Sequence, residues 1–481
     1  MKFRSPFTLF ATGMAMLGLA SPLAAQEMVE RPETVKPGVR LLSLKEATRL
    51  AIQQNSDVLR AIQEIEQAYG IFLEVRASSL PLANVTSNFS EVQPTLANQM
   101  APENWNVTVQ VSQPLYTGGR NQANIRIAKL SRSSSYYALE ETILSVISEV
   151  RKTFSEVLVN RALIKVREET IVLLNRQLQD TKNRFEAGTV PRFDVLRAEV
   201  EVANAMPALI SAQNSYRLAR FNLANLLGIN PGALQSPEPP VDAVGDLATN
   251  PPPFGLAEGL AYAKSHRAVL RVQEQNVEIG REQIKSARSG YLPNFSISGG
   301  YEAQNQPGAA LDRVNSGYFF GVTGSWNIFD GFETKGLVEQ AKAQLATARI
   351  NLDEAIRDVE LQVQDSYSRL EEAKALIASQ EKNVEQAAEA LELGEARFAA
   401  GASTQLDVLD ARVALTTAQV TELEARFLYT LALTDVIRFT AYNTHYEARL
   451  DDPLLDRSRQ RIRRPTIVRE PADPPIFPSP K

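Results

Sequence analysis

Residues able to carry bond-making chemistry are scarce in this chain. Its 481 residues include no cysteine, and the two histidines, His266 and His445, stand far apart in stretches without a catalytic motif. Without cysteine there is no thiol nucleophile, no Cys/His zinc site and no disulfide framework. A Ser-His-Asp relay would have to rest on one of two isolated imidazoles, and no carboxylate pair sits in a strand-to-loop context. Charge is nearly balanced, with 51 Lys+Arg against 56 Asp+Glu for a formal −5, so the basic patch of a nucleic-acid partner is missing. No cofactor, metal or enzymatic activity is expected. The function has to lie in the architecture.

The first 25 residues have the layout of a secretory signal peptide. Lys2 and Arg4 precede an uncharged, largely apolar stretch at 7–19, and Leu23-Ala24-Ala25 is a plausible cleavage site. The apolar run is shorter than the roughly 20 residues that span a bilayer. No later stretch is apolar enough for a spanning helix, so an exported chain of this kind could enter a membrane only as strands.

The chain is written twice. RFEAGTVPRFDVLRAEV (184–200) matches RFAAGASTQLDVLDARV (397–413), with Gly188/Gly401, Asp194/Asp407 and Leu196/Leu409 in register. Leu80-Pro81 matches Leu292-Pro293, and PLYTGGR (114–120) matches NIFDGFE (327–333). The reading is a first repeat at 26–229, a Pro-rich linker at 230–254, a second repeat at 255–450 and an irregular tail at 451–481. The tail carries Arg457, Arg459, Arg461, Arg463 and Arg464. A period this long is a duplicated domain and not a solenoid unit.

Residues 120–187 contain no Gly or Pro, and 337–400 contain only Gly394. Ile143, Ile147, Val150, Phe154, Val157, Ile164, Ile171, Leu174 and Leu178 recur at threes, fours and sevens, which predicts a helix with a packing seam. At about 1.5 Å per residue it is roughly 100 Å long. Each long helix ends at a Gly suited to a left-handed C-terminal cap, Gly188 and Gly401. New helices start near Pro191 and Ser403/Thr404, with Thr404 and Asp407 at capping-box spacing. The expected helices at 190–228, 43–79 and 255–289 are shorter, which suggests short helices laid end to end beside each long one. A kink is expected at Pro207.

Four segments break the helical pattern: 80–90, 105–116, 291–301 and 317–329. None carries Asp, Glu, Lys or Arg, although 22% of the chain is charged. Trp105, Val107, Val109 and Val111 alternate with Asn106, Thr108, Gln110 and Ser112; Phe295, Ile297 and Tyr301 alternate with Asn294, Ser296 and Ser298. Tyr318, Phe320, Val322, Trp326 and Ile328 mark one face of the fourth. Length and period fit membrane barrel strands, with both tryptophans placed for an interfacial belt. Open edges are not tolerated in lipid and barrels have about eight strands or more, so four strands imply assembly from two or more chains.

With its duplicated hairpin tips, two strand pairs and PLYTGGR/NIFDGFE turns, the chain resembles the TolC-like outer-membrane efflux and secretion channel family over roughly 40 to 450. That resemblance implies a mixed α/β membrane protein: a homotrimer whose four strands per chain complete a 12-stranded outer-membrane barrel, lipid-embedded, above a periplasmic helical tunnel. It further implies docking to a periplasmic adaptor and, through it, an inner-membrane pump or ABC exporter. The channel would be a passive duct for drug efflux or type I protein secretion. The adaptor-docking tip maps onto Gly188, Thr189, Val190 and Pro191 with Gly401, Ala402 and Ser403.

The family's aspartate-lined constriction maps onto Asp407 and Asp410. Residues three apart share a helix face, so a trimer would gather six carboxylates into a cation-favouring ring. The same residues suit the first turn of a helix, where the macrodipole favours negative charge; ring and cap both stay open. Where some members hold the closed tip with a tyrosine and an arginine, this chain has Phe398 and Ser403. The competing architecture is a pore-less periplasmic coiled-coil structural or adaptor protein, against which the uncharged strands argue.

Overall fold

The computed structural model describes residues 39–91, 103–229, 238–247, 249–305 and 314–442. The expected signal peptide, the C-terminal tail and His445 lie outside them. The first half runs β1 (Arg40–Leu42), α1 (Leu44–Gln54), α2 (Ser56–Ala77), β2 (Leu82–Glu91), β3 (Glu103–Thr117), α3 (Arg120–Glu186) and α4 (Arg192–Leu226). The second half repeats that order as β4 (Val241–Ala243), α5 (Leu256–His266), α6 (Ala268–Arg288), β5 (Asn294–Asn305), β6 (Val314–Ser325), α7 (Glu333–Ala399) and α8 (Gln405–Phe439).

α3 and α7 are each 67 residues long, about 100 Å at the α-helical rise. On α3 the seam residues Ile143, Ile147, Val150, Phe154, Val157 and Leu174 are buried. The first five join Val58, Ala61, Ile65, Leu223 and Leu227 in one core; Leu270, Val359, Val363, Leu370 and Val436 form the corresponding core of the second half. Burying each such side chain contributes about 1.5–3 kcal/mol. Both α2 and α4 pack along α3, and both α6 and α8 along α7, so short helices do follow one another beside each long rod. α4 runs through Pro207 as one helix, and α7 runs through Gly394.

Three expectations are corrected here. The helix expected over 43–79 is two helices meeting at Asn55, and that over 255–289 is two meeting at Arg267; both residues hold extended backbone (ψ 133° and 120°). The Asn55 side chain caps the first turn of α2, whereas Arg267 makes no side-chain cap bond to α6. α4 does start near Pro191, which is its N-cap, as expected. The Pro-rich segment is more than a spacer, since its β4 pairs in parallel with β1. Arg220 Nε donates to the Val241 carbonyl at 2.8 Å, and Arg161 Nη2 to Asp242 Oδ1 at 2.6 Å, fastening it to α3 and α4.

The remaining strands form one antiparallel sheet in the order β2-β3-β5-β6. Its strands are shifted from expectation: β5 begins at Asn294, because 289–291 is a 3-10 turn, and β6 stops at Ser325. Trp326 and Ile328 therefore lie beyond the fourth strand. Glu91, Glu103 and Glu302 extend the strands at the end remote from the helices, where the register opposes Glu91 to Glu103.

Candidate functional site: two sheet faces and two hairpin tips

Register sorts the sheet residues into two chemically distinct faces. One row across all four strands reads Val85, Val109, Tyr301, Tyr318. The same face gathers Phe89 opposite Trp105, then Val111, Gly299 and Phe320, and Gln113, Ile297 and Val322. The opposite face reads Asn84, Gln110, Gly300 and Phe319 in one row, and Thr86, Thr108, Glu302 and Gly317 in the next. Successive strand residues point to opposite faces, so the alternation along each strand adds into a sheet-wide division. The apolar face has no covering layer among the described residues: Val85 is 68% exposed and Tyr318 90%. A bulge at Leu115, between Pro114 and Tyr116, ends the regular ladder next to α3. β2 and β6 each have an edge with no pairing partner among the described residues.

At the far end of the long helices the two tips are built alike. Gly188 and Gly401 both hold φ +74, a left-handed conformation that glycine adopts without a Cβ penalty. In each, paired backbone bonds close a Schellman motif. Gly188 N–H donates to the Phe185 carbonyl and Thr189 N–H to that of Arg184, both at 2.9 Å; Gly401 donates to Phe398 at 3.0 Å and Ala402 to Arg397 at 2.8 Å. Nothing lies within 4 Å of the Cβ that either glycine would carry. The tip residues singled out in the sequence thus form two open turns.

The two aspartates have different settings. Asp407 completes a capping box: its Oδ2 accepts from Thr404 N–H at 2.8 Å and from Thr404 Oγ1 at 2.9 Å, while its own N–H donates back to Oγ1 at 3.3 Å. Those bonds from the Thr404 backbone and hydroxyl, with Arg397 nearby, hold its carboxyl below the usual aspartate range. Asp410 is exposed and has no hydrogen-bond or ion-pair partner among the described residues. Its repeat mate Arg197 instead lines a crevice between α3, α4 and α8 with Glu201, Gln177 and Arg412.

Contacts between the repeats brace the tips. The Arg184 guanidinium lies 4.7 Å from the centre of the Phe398 ring, a cation–π contact where some family members were expected to have a tyrosine latch. Ser403 Oγ makes only a long bond, 3.4 Å, to the Gly394 carbonyl. Arg412 is buried, donating from Nη2 to Glu395 Oε1 at 2.7 Å and from Nη1 to the Leu173 carbonyl at 3.3 Å. Sequence reasoning missed both arginines. The signal for Arg412 is its place four residues after the buried Val408, on the apolar side of α8.

His266 closes α5 at the surface, stacked on Tyr262 with ring centres 3.9 Å apart. No group of acidic or imidazole side chains among the described residues could hold a metal ion. No helix among them is long and apolar enough to cross a membrane.

A two-faced sheet on paired rods of this length is the fold of outer-membrane channels. It superposes on the Campylobacter jejuni CmeC outer membrane channel with a TM-score of 0.73, at 17% identity, over 86% of this chain and 90% of that one. The open-state Neisseria gonorrhoeae MtrE outer membrane channel gives 0.68 at 19% identity, over 82% and 88%. The chain belongs to the outer membrane efflux protein family, whose model matches residues 47–229 and 260–440. Its sequence is similar to the outer membrane protein TolC of Vibrio cholerae, 24% identical over 83% of this chain and 91% of that one. Nodulation protein T of Rhizobium leguminosarum is also 24% identical, over 76% and 79%. The protein is accordingly an efflux channel of the bacterial outer membrane, and its family is one of transporters.

Proposed function

We propose that three copies of this chain assemble into a passive exit duct. Each contributes its β2-β3-β5-β6 sheet to a 12-stranded barrel in the outer membrane, and its helices α1–α8 to a tunnel of about 100 Å through the periplasm. The division into two repeats joined by the segment at 230–254 supplies six similar helical hairpins around the axis. The observation that carries this reading is the division of one sheet into an exposed apolar face and a polar face, with two edges left open. Lipid would cover the first face, water would fill the second, and closure would satisfy the edges.

At the periplasmic end, the turns formed by Gly188, Thr189, Val190 and Pro191 and by Gly401, Ala402 and Ser403 dock a periplasmic adaptor. Through it the duct meets an inner-membrane pump or ABC exporter that supplies the energy. Asp410, with Asp407 one turn nearer the tip, rings the narrow end and favours cations. The names of relatives such as the efflux protein BepC of Brucella suis and the pyoverdine export protein OpmQ of Pseudomonas aeruginosa support an export role. The test is reconstitution of the purified, detergent-solubilised protein into planar bilayers, with its mass in detergent measured in parallel. A trimer with cation-preferring conductance is expected; a monomer that stays in buffer without detergent would remove the reading.

A further inference from the structure

Within one protomer the turn that follows β3 is seated on the second repeat. A Cβ added to Gly118, at φ +62, would lie 2.6 Å from the Ser289 carbonyl oxygen and 3.0 Å from Leu292 Cβ. Arg120 donates from Nε to Ser289 Oγ at 2.9 Å. The equivalent turn after β6 has no such seat among the described residues. Gly331 has nearly the same backbone, φ +67, yet nothing lies within 4 Å of its missing Cβ. Ile328, Phe329 and Phe332 are all exposed. Phe332 also holds φ +70 where its repeat mate Gly119 is free to hold +87, a strained conformation for a bulky residue.

The seat has a repeat mate as well. Leu80-Pro81 corresponds to Leu292-Pro293, which places Ala77 where Ser289 stands and Leu80 where Leu292 stands. Gln113 and Asn121 of the same repeat donate to the Ser79 and Ser78 carbonyls, but no turn of the other repeat sits on that second seat among the described residues: Leu80 is half exposed, and the neighbouring Arg76 side chain is exposed with no partner among them. Glu333, the mate of Arg120, is equally exposed and unpartnered among them. The occupied joint and the two vacant halves are related by the internal duplication, and the vacant halves carry opposite charges.

We infer that the vacant turn of one protomer seats on the vacant 77–80 segment of the next, with the Glu333 carboxylate meeting the guanidinium of the partner's Arg76. The inference rests on the trimer reading and adds its register. Inside the protomer, Val109 pairs with Tyr301, Gln113 with Ile297 and Tyr116 with Phe295. Carried through the repeat, these become Val322 with the partner's Phe89, Trp326 with the partner's Val85, and Phe329 with the partner's Ala83. Val322, Phe89, Val85 and Ala83 lie on the apolar face, and Trp326 and Phe329, beyond the end of β6, would join it if the bulge is repeated. The early end of β6 at Ser325 has the same cause: 326–329 has no strand beside it until the partner's β2 arrives.

The absence of native cysteine makes the test direct. Ala77→Cys and Glu333→Cys are combined in the full chain, treated with a short bis-maleimide in the envelope, and resolved on denaturing gels. Crosslinked dimer and trimer bands, absent from either single variant, are expected. A protein that sizes as a trimer in detergent but gives no crosslink overturns this interface and leaves the trimer standing; one that sizes as a monomer overturns both. In a second experiment, Arg76→Glu is expected to abolish the gel-resistant trimer and Arg76→Glu with Glu333→Arg to restore it. Loss that the reversed pair does not rescue would overturn the ion pair.

Discussion

Asn55 donates from its side-chain Nδ2 to the main-chain carbonyl of Leu226 across 2.9 Å. Its Oδ1 meanwhile accepts from Asp57 N–H at 2.8 Å and Val58 N–H at 3.4 Å. One buried amide thus caps the start of α2 and receives the end of α4, joining two short helices along α3. The second repeat solves the same problem with a different side chain. Arg267, in the place of Asn55, donates from Nη1 to the Phe439 carbonyl at 3.2 Å and from Nη2 to Glu141 Oε1 on α3 at 3.0 Å. The longer side chain ties the joint to the opposite repeat as well.

Removing these joints is expected to loosen the rods before it affects the sheet. Asn55→Ala deletes an N-cap and leaves the partly buried Leu226 carbonyl without its donor, a loss of about 1–3 kcal/mol. Arg267→Ala leaves Glu141 without its counter-charge in a partly buried position and costs more, on the order of 3 kcal/mol. Thermal unfolding followed by circular dichroism at 222 nm ranks the two. An Arg267→Ala variant as stable as the parent would mean that the joint is dispensable.

The two tip aspartates separate by assay. Asp407 is engaged by Thr404, so Asp407→Asn is expected to weaken the α8 cap, and Thr404→Ala to cost about 1 kcal/mol in the same way. Asp410 has no partner among the described residues, so Asp410→Asn is expected to leave thermal stability unchanged and reduce cation preference in planar bilayers. Equal reversal potentials for wild type and Asp410→Asn would remove this residue from the constriction.

A pH series tests the cap alone. The Asp407 carboxyl is held below its ordinary value by hydrogen bonds from Thr404. A lowered folded-state pKa gives stability that is fully present above the unfolded value, about 3.9, and is lost as pH falls through the folded one. The cap contribution is therefore constant from neutral pH down to about 5 and fades only in stronger acid. The stability difference between wild type and Thr404→Ala should narrow below pH 4 and stay flat above 5. A difference that changes between pH 6 and 8 would point to another titrating group.

Much of this was legible in the sequence because the long-range order is repetitive. The Gly- and Pro-free runs and their seam from Ile143 to Val157 depend only on local geometry, and so do the two glycine-ended turns. The breaks at Asn55 and Arg267 were not legible, since an Asn or Arg inside an apolar-periodic run signals a break only when the carbonyl it meets is known. Leu226 and Phe439 lie 171 and 172 residues away. The Arg184–Phe398 stack was hidden for a similar reason, as it pairs the first repeat's arginine with the second repeat's aromatic. Alternation located the strands, but their ends follow neighbours rather than composition. β6 stops at Ser325, opposite Asn294 where β5 begins.

The division of the sheet yields the sharpest prediction, because two adjacent residues should behave oppositely. Val109 lies on the apolar face between Val85 and Tyr301, and Thr108 on the polar face between Thr86 and Glu302. An arginine on the lipid side of a membrane barrel costs about 2–4 kcal/mol near the midplane, whereas the lumen side tolerates charge and changes selectivity. Val109→Arg should therefore deplete the protein from the outer-membrane fraction. Thr108→Arg should leave its amount there intact and shift conductance toward anions. Substituting neighbours keeps strand position and backbone environment alike, so a general folding defect would affect both variants. If both arginines insert equally well, the apolar face does not meet lipid, and the barrel reading fails at its foundation.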